Sequence, residues 1–163
     1  MAFRLRNVPL LSRVGADRAD HLRTDIDAAA AGWGDAALLR VDNRNQVLIA
    51  NGRVVLGSAA ELADAPPPDA VFLGRIEDGR HVWAVRGPLQ APEDDAAAVL
   101  DPRRGGDVFD DASAQLVACA LALLNWHDSA RFSALDGSPT RPIRGGWSRR
   151  NVLQALGAAA VPW

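Results

Sequence analysis

His127, Asp128 and Ser129 are the three residue types of a hydrolytic triad, yet they stand at consecutive positions. On a helix, neighbouring side chains point about 100° apart and cannot hydrogen-bond in series, so this is not a triad. His127 reads instead as the polar end of a packed helix face, and His81 as a mid-strand residue beside Trp83. The three histidines share no ligand spacing such as His-x3-His. Cation-assisted hydrolysis needs several carboxylates converging on a divalent ion. The only glutamates are Glu61, Glu77 and Glu93, each sixteen residues from the next, so no single helix can gather them. The acidic pairs Asp94-Asp95, two residues after Pro92, and Asp110-Asp111, four after Gly106, read as loop and cap positions. No catalytic residue and no metal ligand is therefore assigned.

Cys119 lies inside the apolar run Leu116 to Leu124 and reads as a small core hydrophobe rather than a nucleophile. A single cysteine excludes an internal disulfide and suggests a reducing compartment. Lysine is absent, which removes a Walker-type phosphate loop and any Schiff-base or Ser-Lys chemistry. The arginines are unevenly placed: Arg141, Arg144, Arg149 and Arg150 share the last 23 residues with no acid, against 14 Arg and 20 acidic residues before them. Around Trp147 such a cluster has the chemistry of a nucleic-acid footprint, guanidinium on phosphate and indole on base. Four arginines in a Pro- and Gly-rich connector are also ordinary solvated surface, and RNA contact is not expected.

These residues need elements to hold them. At 163 residues and 48% hydrophobic content the chain suits one globular domain that folds without a metal. Residues 16–31 have helical spacing at Leu22, Ile26 and Ala29, with Gly32 as a stop. A strand at 36–41 precedes a hairpin, 46–50 and 53–56, turning at Asn51-Gly52. Ser58 and Glu61 have capping-box spacing for a short helix ended by Pro66-Pro67-Pro68. A second hairpin joins 71–76 to 81–85 through Asp78-Gly79. Residues 87–107 read as a loop with one helical turn near 94–100, and a long helix spans about 111–130. Without regular βαβ alternation, this order predicts an α+β fold with a mixed or antiparallel sheet. No leader peptide and no membrane span of about 18 apolar residues is seen, so a cytoplasmic location is expected.

The stretch Leu121 to Asn151, together with Val8-Pro9-Leu10-Leu11-Ser12-Arg13, Ala70-Val71-Phe72-Leu73-Gly74 and Val82-Trp83-Ala84-Val85, resembles the N-terminal, Nudix-like domain and zinc ribbon of the NADH pyrophosphatase family of Nudix hydrolases. The resemblance implies a Nudix-like N-terminal domain over 1–130, a degenerate ribbon over 131–151 and an atypical tail over 152–163, read as out of frame. The four ribbon cysteines of the family fall on Ser133, Asp136, Asn151 and Gln154, which do not supply thiolate donors, so no zinc is expected. The family splits NAD(H) into a nicotinamide mononucleotide and AMP with Mg or Mn, and removes NAD caps from RNA, in a C-terminal domain whose glutamate-rich Nudix box has no counterpart here. The resemblance thus implies a non-catalytic scaffold or homodimerisation domain, using the long helix and an apolar sheet edge. Alternatively, it implies an NAD(H) diphosphatase whose catalytic Nudix half comes from a separate chain or reading frame.

Overall fold

The computed structural model describes residues 15–90 and 97–155, with side chains through residue 153. The strands β1 (Ala37–Val41), β4 (Gly57–Ser58), β5 (Val71–Arg75) and β6 (His81–Arg86) form one sheet in the order β4-β1-β6-β5. The β1–β6 pair is parallel and the others antiparallel, giving the mixed sheet expected for this α+β chain. A second sheet takes β2 (Val47–Ala50), β3 (Arg53–Val54) and β7 (Ala98–Leu100) in the order β3-β2-β7. Strand alternation sorts the core into two layers. Leu39, Val41, Val71, Val82 and Ala84 face the long helix α4 (Asp111–Ser129) and the second sheet. Leu38, Phe72, Trp83 and Val85 face the other way, toward Leu22, Ala29 and Trp33.

Both hairpins turn where the sequence places them. Asn51 and Gly52 take φ of 51° and 77°, the paired left-handed residues of a type I′ turn, while Gly79 at 85° closes the second. Helix α4, which follows the four-residue α3 (Pro102–Gly105), is also as expected: Asp110 accepts from the Ser113 N–H at its N-terminus, and Leu116, Ala120, Leu123 and Leu124 are buried.

Three expectations are corrected. Residues 16–31 form two short helices, α1 (Asp20–Thr24) and α2 (Ile26–Ala31), because the Asp25 carboxylate caps Ala28 and restarts the helix; Ile26 is left 42% exposed. Ser58 caps nothing, since its backbone pairs with Ala37 in β4, and residues after it form a turn. In the described part of 94–100 the structure has β7 rather than a helical turn, because Ala98, Val99 and Leu100 pair with Ile49, Leu48 and Val47. Asp94, Asp95 and Glu93 lie outside the described residues, as does the 8–13 segment. Among the described residues no helix is long and apolar enough to cross a membrane.

One buried amide ties α4 to the beginning of the described chain. The Gln115 Oε1 accepts from the N–H groups of Gly15 and Ala16, and its Nε2 donates to the Ala16 carbonyl at 3.0 Å. Gln115→Ala leaves these backbone groups unpaired next to the core. The expected loss is about 2–3 kcal/mol of unfolding free energy, read by urea denaturation with an unchanged m-value.

Candidate functional site

Residues 140–151, within the expected ribbon segment and with arginines read as solvated, form a hairpin of β8 (Thr140–Ile143) and β9 (Ser148–Asn151) clasped to α4 and β5. Its turn runs through Arg144, Gly145 and Gly146 at φ of 54°, 59° and 85°. Gly146 has no substitute here, because a Cβ would lie 2.5 Å from the Val71 Cγ1 in a left-handed backbone. The clasp has three joints. The Phe72 N–H donates to the Gly145 carbonyl, and the Trp147 indole N–H donates to the Phe72 carbonyl at 2.6 Å. The Thr140 hydroxyl donates to Ala130 at the end of α4.

His127 is the third joint. Arg149 donates to its Nδ1 at 2.7 Å, so its Nε2 carries the proton and donates to the Gly146 carbonyl at 2.8 Å. Burial pushes the imidazole below its ordinary basicity; the Gly146 hydrogen bond opposes this, the Arg149 charge reinforces it, and Asp128 opposes it. The neighbouring triad types are engaged elsewhere. Asp128 pairs with Arg86 at 3.0 Å, and the Ser129 hydroxyl donates to Asn125 and Trp126 carbonyls. The three residues are therefore not brought together as a catalytic unit.

The arginine cluster divides in the same way. Arg149 also donates to the Thr140 hydroxyl and carbonyl, which makes it part of the clasp rather than solvated surface. The Trp147 ring carries the Arg23 guanidinium 3.5 Å from its centroid, so one face of the indole is already covered. Arg141, Arg144 and Arg150 remain exposed.

Three of the four positions marked in the sequence converge in space. The Asp136 carboxylate accepts from the Asn151 Nδ2 at 3.0 Å and from the Ser138 N–H at 3.1 Å, while the Ser133 hydroxyl accepts from the Leu135 N–H. The Ser138 N–H, then the Ser133 and Ser138 hydroxyls and the Asn151 amide, hold the Asp136 carboxyl below the usual carboxylate range, against a small opposing effect of burial. The fourth position, Gln154, has its side chain outside the described residues. A hydroxyl, a neutral amide and one carboxylate that satisfy each other do not fit a structural zinc ion, which takes deprotonated thiolate or imidazole donors in a closed tetrahedron.

Elsewhere, Cys119 is half-buried in the core and burial raises its thiol pKa, with Arg18 and Arg23 pulling more weakly the other way. Sequence reading missed those two arginines, which lie about a hundred positions upstream. Glu61 and Glu77 are both exposed, on separate loops. Among the described residues no three of His, Cys, Asp and Glu form a group that could hold a metal ion.

Residues 27–126, from within α2 to within α4, match the model of the NADH pyrophosphatase-like rudimentary NUDIX domain. The chain belongs to this family. It is also 70% identical over 153 residues to the NAD-capped RNA hydrolase NudC of Mycobacterium tuberculosis strain H37Rv and to that of Mycobacterium bovis, an alignment covering 93% of this chain and 49% of each relative. The chain thus spans about half the length of the curated relatives it matches. The rudimentary NUDIX domain accounts for both sheets and most of α4, and the 140–151 hairpin lies beyond the matched residues.

The clasp has a pH signature. A histidine made less basic by folding takes its proton more readily in the unfolded chain, so its contribution is intact above about pH 6.5 and is lost as pH falls below that value. His127→Gln should flatten the decline in melting temperature between about pH 7.5 and pH 5. A decline identical to that of the parent protein shows that His127 titrates alike in both states.

Proposed function

We propose that this chain is the N-terminal part of an NAD(H) pyrophosphatase-like Nudix hydrolase, non-catalytic by itself and serving as a scaffold or dimerisation domain. The family reaction, water and NAD(H) giving NMN(H) and AMP, needs carboxylates gathered on a divalent cation. What supports the reading most is how the aspartates of the described residues are used. The carboxylates of Asp25, Asp42, Asp101, Asp110 and Asp136 accept from backbone N–H groups in caps and turns, scattered over the fold. A carboxylate held in a cap cannot turn to a shared cation without breaking the turn it closes.

In this reading the 131–151 segment is a ribbon without zinc, its knuckle closed by the Asp136, Asn151 and Ser133 network instead of a metal. Self-association would use the flank of α4 that the sheets leave open, where Leu121 is half-buried and Trp126 is 40% exposed. RNA contact is not part of the proposal, since Arg149 and Trp147 are engaged within the fold. The cytoplasm is the compartment proposed, on the single free cysteine and the NAD(H)-linked family.

A second reading has a specific observation behind it. Phe132, Leu135 and Leu153 are 65%, 88% and 48% exposed around the knuckle, an apolar surface for a separate catalytic Nudix polypeptide. Incubating the purified chain with NADH and Mg or Mn, with AMP followed by chromatography, separates the two. No AMP above the blank is expected from the chain alone, and turnover that survives repurification overturns the scaffold proposal. AMP release restored only by adding a Nudix-domain polypeptide supports the second reading. A further expected outcome is that chelator treatment leaves the melting temperature unchanged, and a fall on chelation refutes the metal-free knuckle.

A further inference from the structure

A cleft of about 430 Å³ opens between α2, the Pro66–Pro67–Pro68 segment and the 141–146 turn. Its walls are apolar, from Ile26, Ala30 and the prolines, and Trp83 contributes to the lining from the sheet beneath. Trp83 is 1% exposed, and its indole N–H has no acceptor among the described residues. The contrast with its neighbours is informative: Trp33 donates to the Ala63 carbonyl at 2.7 Å, and Trp147 to that of Phe72. A buried donor left unpaired loses its hydration with nothing in return, and the Trp83 N–H is closed to water. At the rim stand Arg141 and Arg144, both exposed and neither in an ion pair among the described residues.

We propose that this cleft binds a nucleoside monophosphate, its base lying against the apolar wall with a ring or amide acceptor reaching the Trp83 indole N–H, and its phosphate held by Arg141 and Arg144. The size suits such a ligand, since small-molecule sites run from about 300 to 1,000 Å³. Guanidinium pairs recognise phosphate oxygens through parallel N–H donors, and among the described residues no acidic side chain lines the cleft to repel the ligand. An apolar pocket with one buried donor and a cationic mouth selects for a molecule with an apolar, acceptor-bearing body and a dianionic end. Inorganic phosphate meets only the mouth. Entry requires side-chain adjustment over the indole, which is common on binding. The cleft shares the 144–146 turn with the His127 clasp, and the proposal stands whether or not the chain is catalytic.

Calorimetric titration of the full chain with AMP and with nicotinamide mononucleotide tests it, with inorganic phosphate as the third ligand. Saturable binding of at least one nucleotide below about 1 mM is expected, with inorganic phosphate at least about tenfold weaker. Arg141→Gln combined with Arg144→Gln should weaken nucleotide binding about tenfold or more while leaving the circular dichroism unchanged. Trp83→Phe removes the donor and keeps the ring; if it fails to fold, the surface double variant still decides. No saturation by either nucleotide, equal affinity for inorganic phosphate, or undiminished binding by the arginine variant would each overturn the proposal.

Discussion

The Phe72 peptide group is the point on which the outer half of this structure depends. Its N–H donates to Gly145 and its carbonyl accepts from the Trp147 indole, while its side chain lies in the core against Trp83 with ring centroids 5.2 Å apart. One residue thus anchors the hairpin by its backbone and the sheet by its ring. The His127 and Arg149 bonds hold the same hairpin to the end of α4, so sheet, helix and hairpin meet in one knot. The geometry of that knot comes from these hydrogen bonds and from left-handed backbone at Gly145 and Gly146.

Much of the rudimentary NUDIX fold was legible in the sequence because its signals are local. Asn51-Gly52 and Asp78-Gly79 specify turns through backbone conformation alone, and Asp110 with the apolar run behind it specifies the start of α4. What was misread is non-local. Whether Ser58 caps a helix or joins β4 depends on Ala37, and whether 98–100 becomes strand depends on the open side of β2. The helical periodicity of 16–31 is real, yet Asp25 divides it by offering its carboxylate to Ala28.

The candidate site shows the same division. The family resemblance put Ser133, Asp136 and Asn151 at ribbon-cysteine positions, and the structure adds that they lie within reach of one another, Asn151 and Ser133 both hydrogen-bonded to the Asp136 carboxylate. The part played by Arg149 was illegible because its partner, His127, is 22 positions away on another element. The open indole of Trp83 was equally hidden, since an unpaired donor is a property of surroundings that only the folded chain assembles.

The hydrogen bonds of Phe72 to Gly145 and Trp147 also fall on the outer side of β5, the last strand of the larger sheet, whose opposite border is the two-residue β4. Peptide groups on a bare border strand invite an incoming chain to extend the ladder, a route to cross-β fibrils. With one border occupied by the hairpin and the other too short to template a partner, this sheet gives a foreign strand little backbone to recruit.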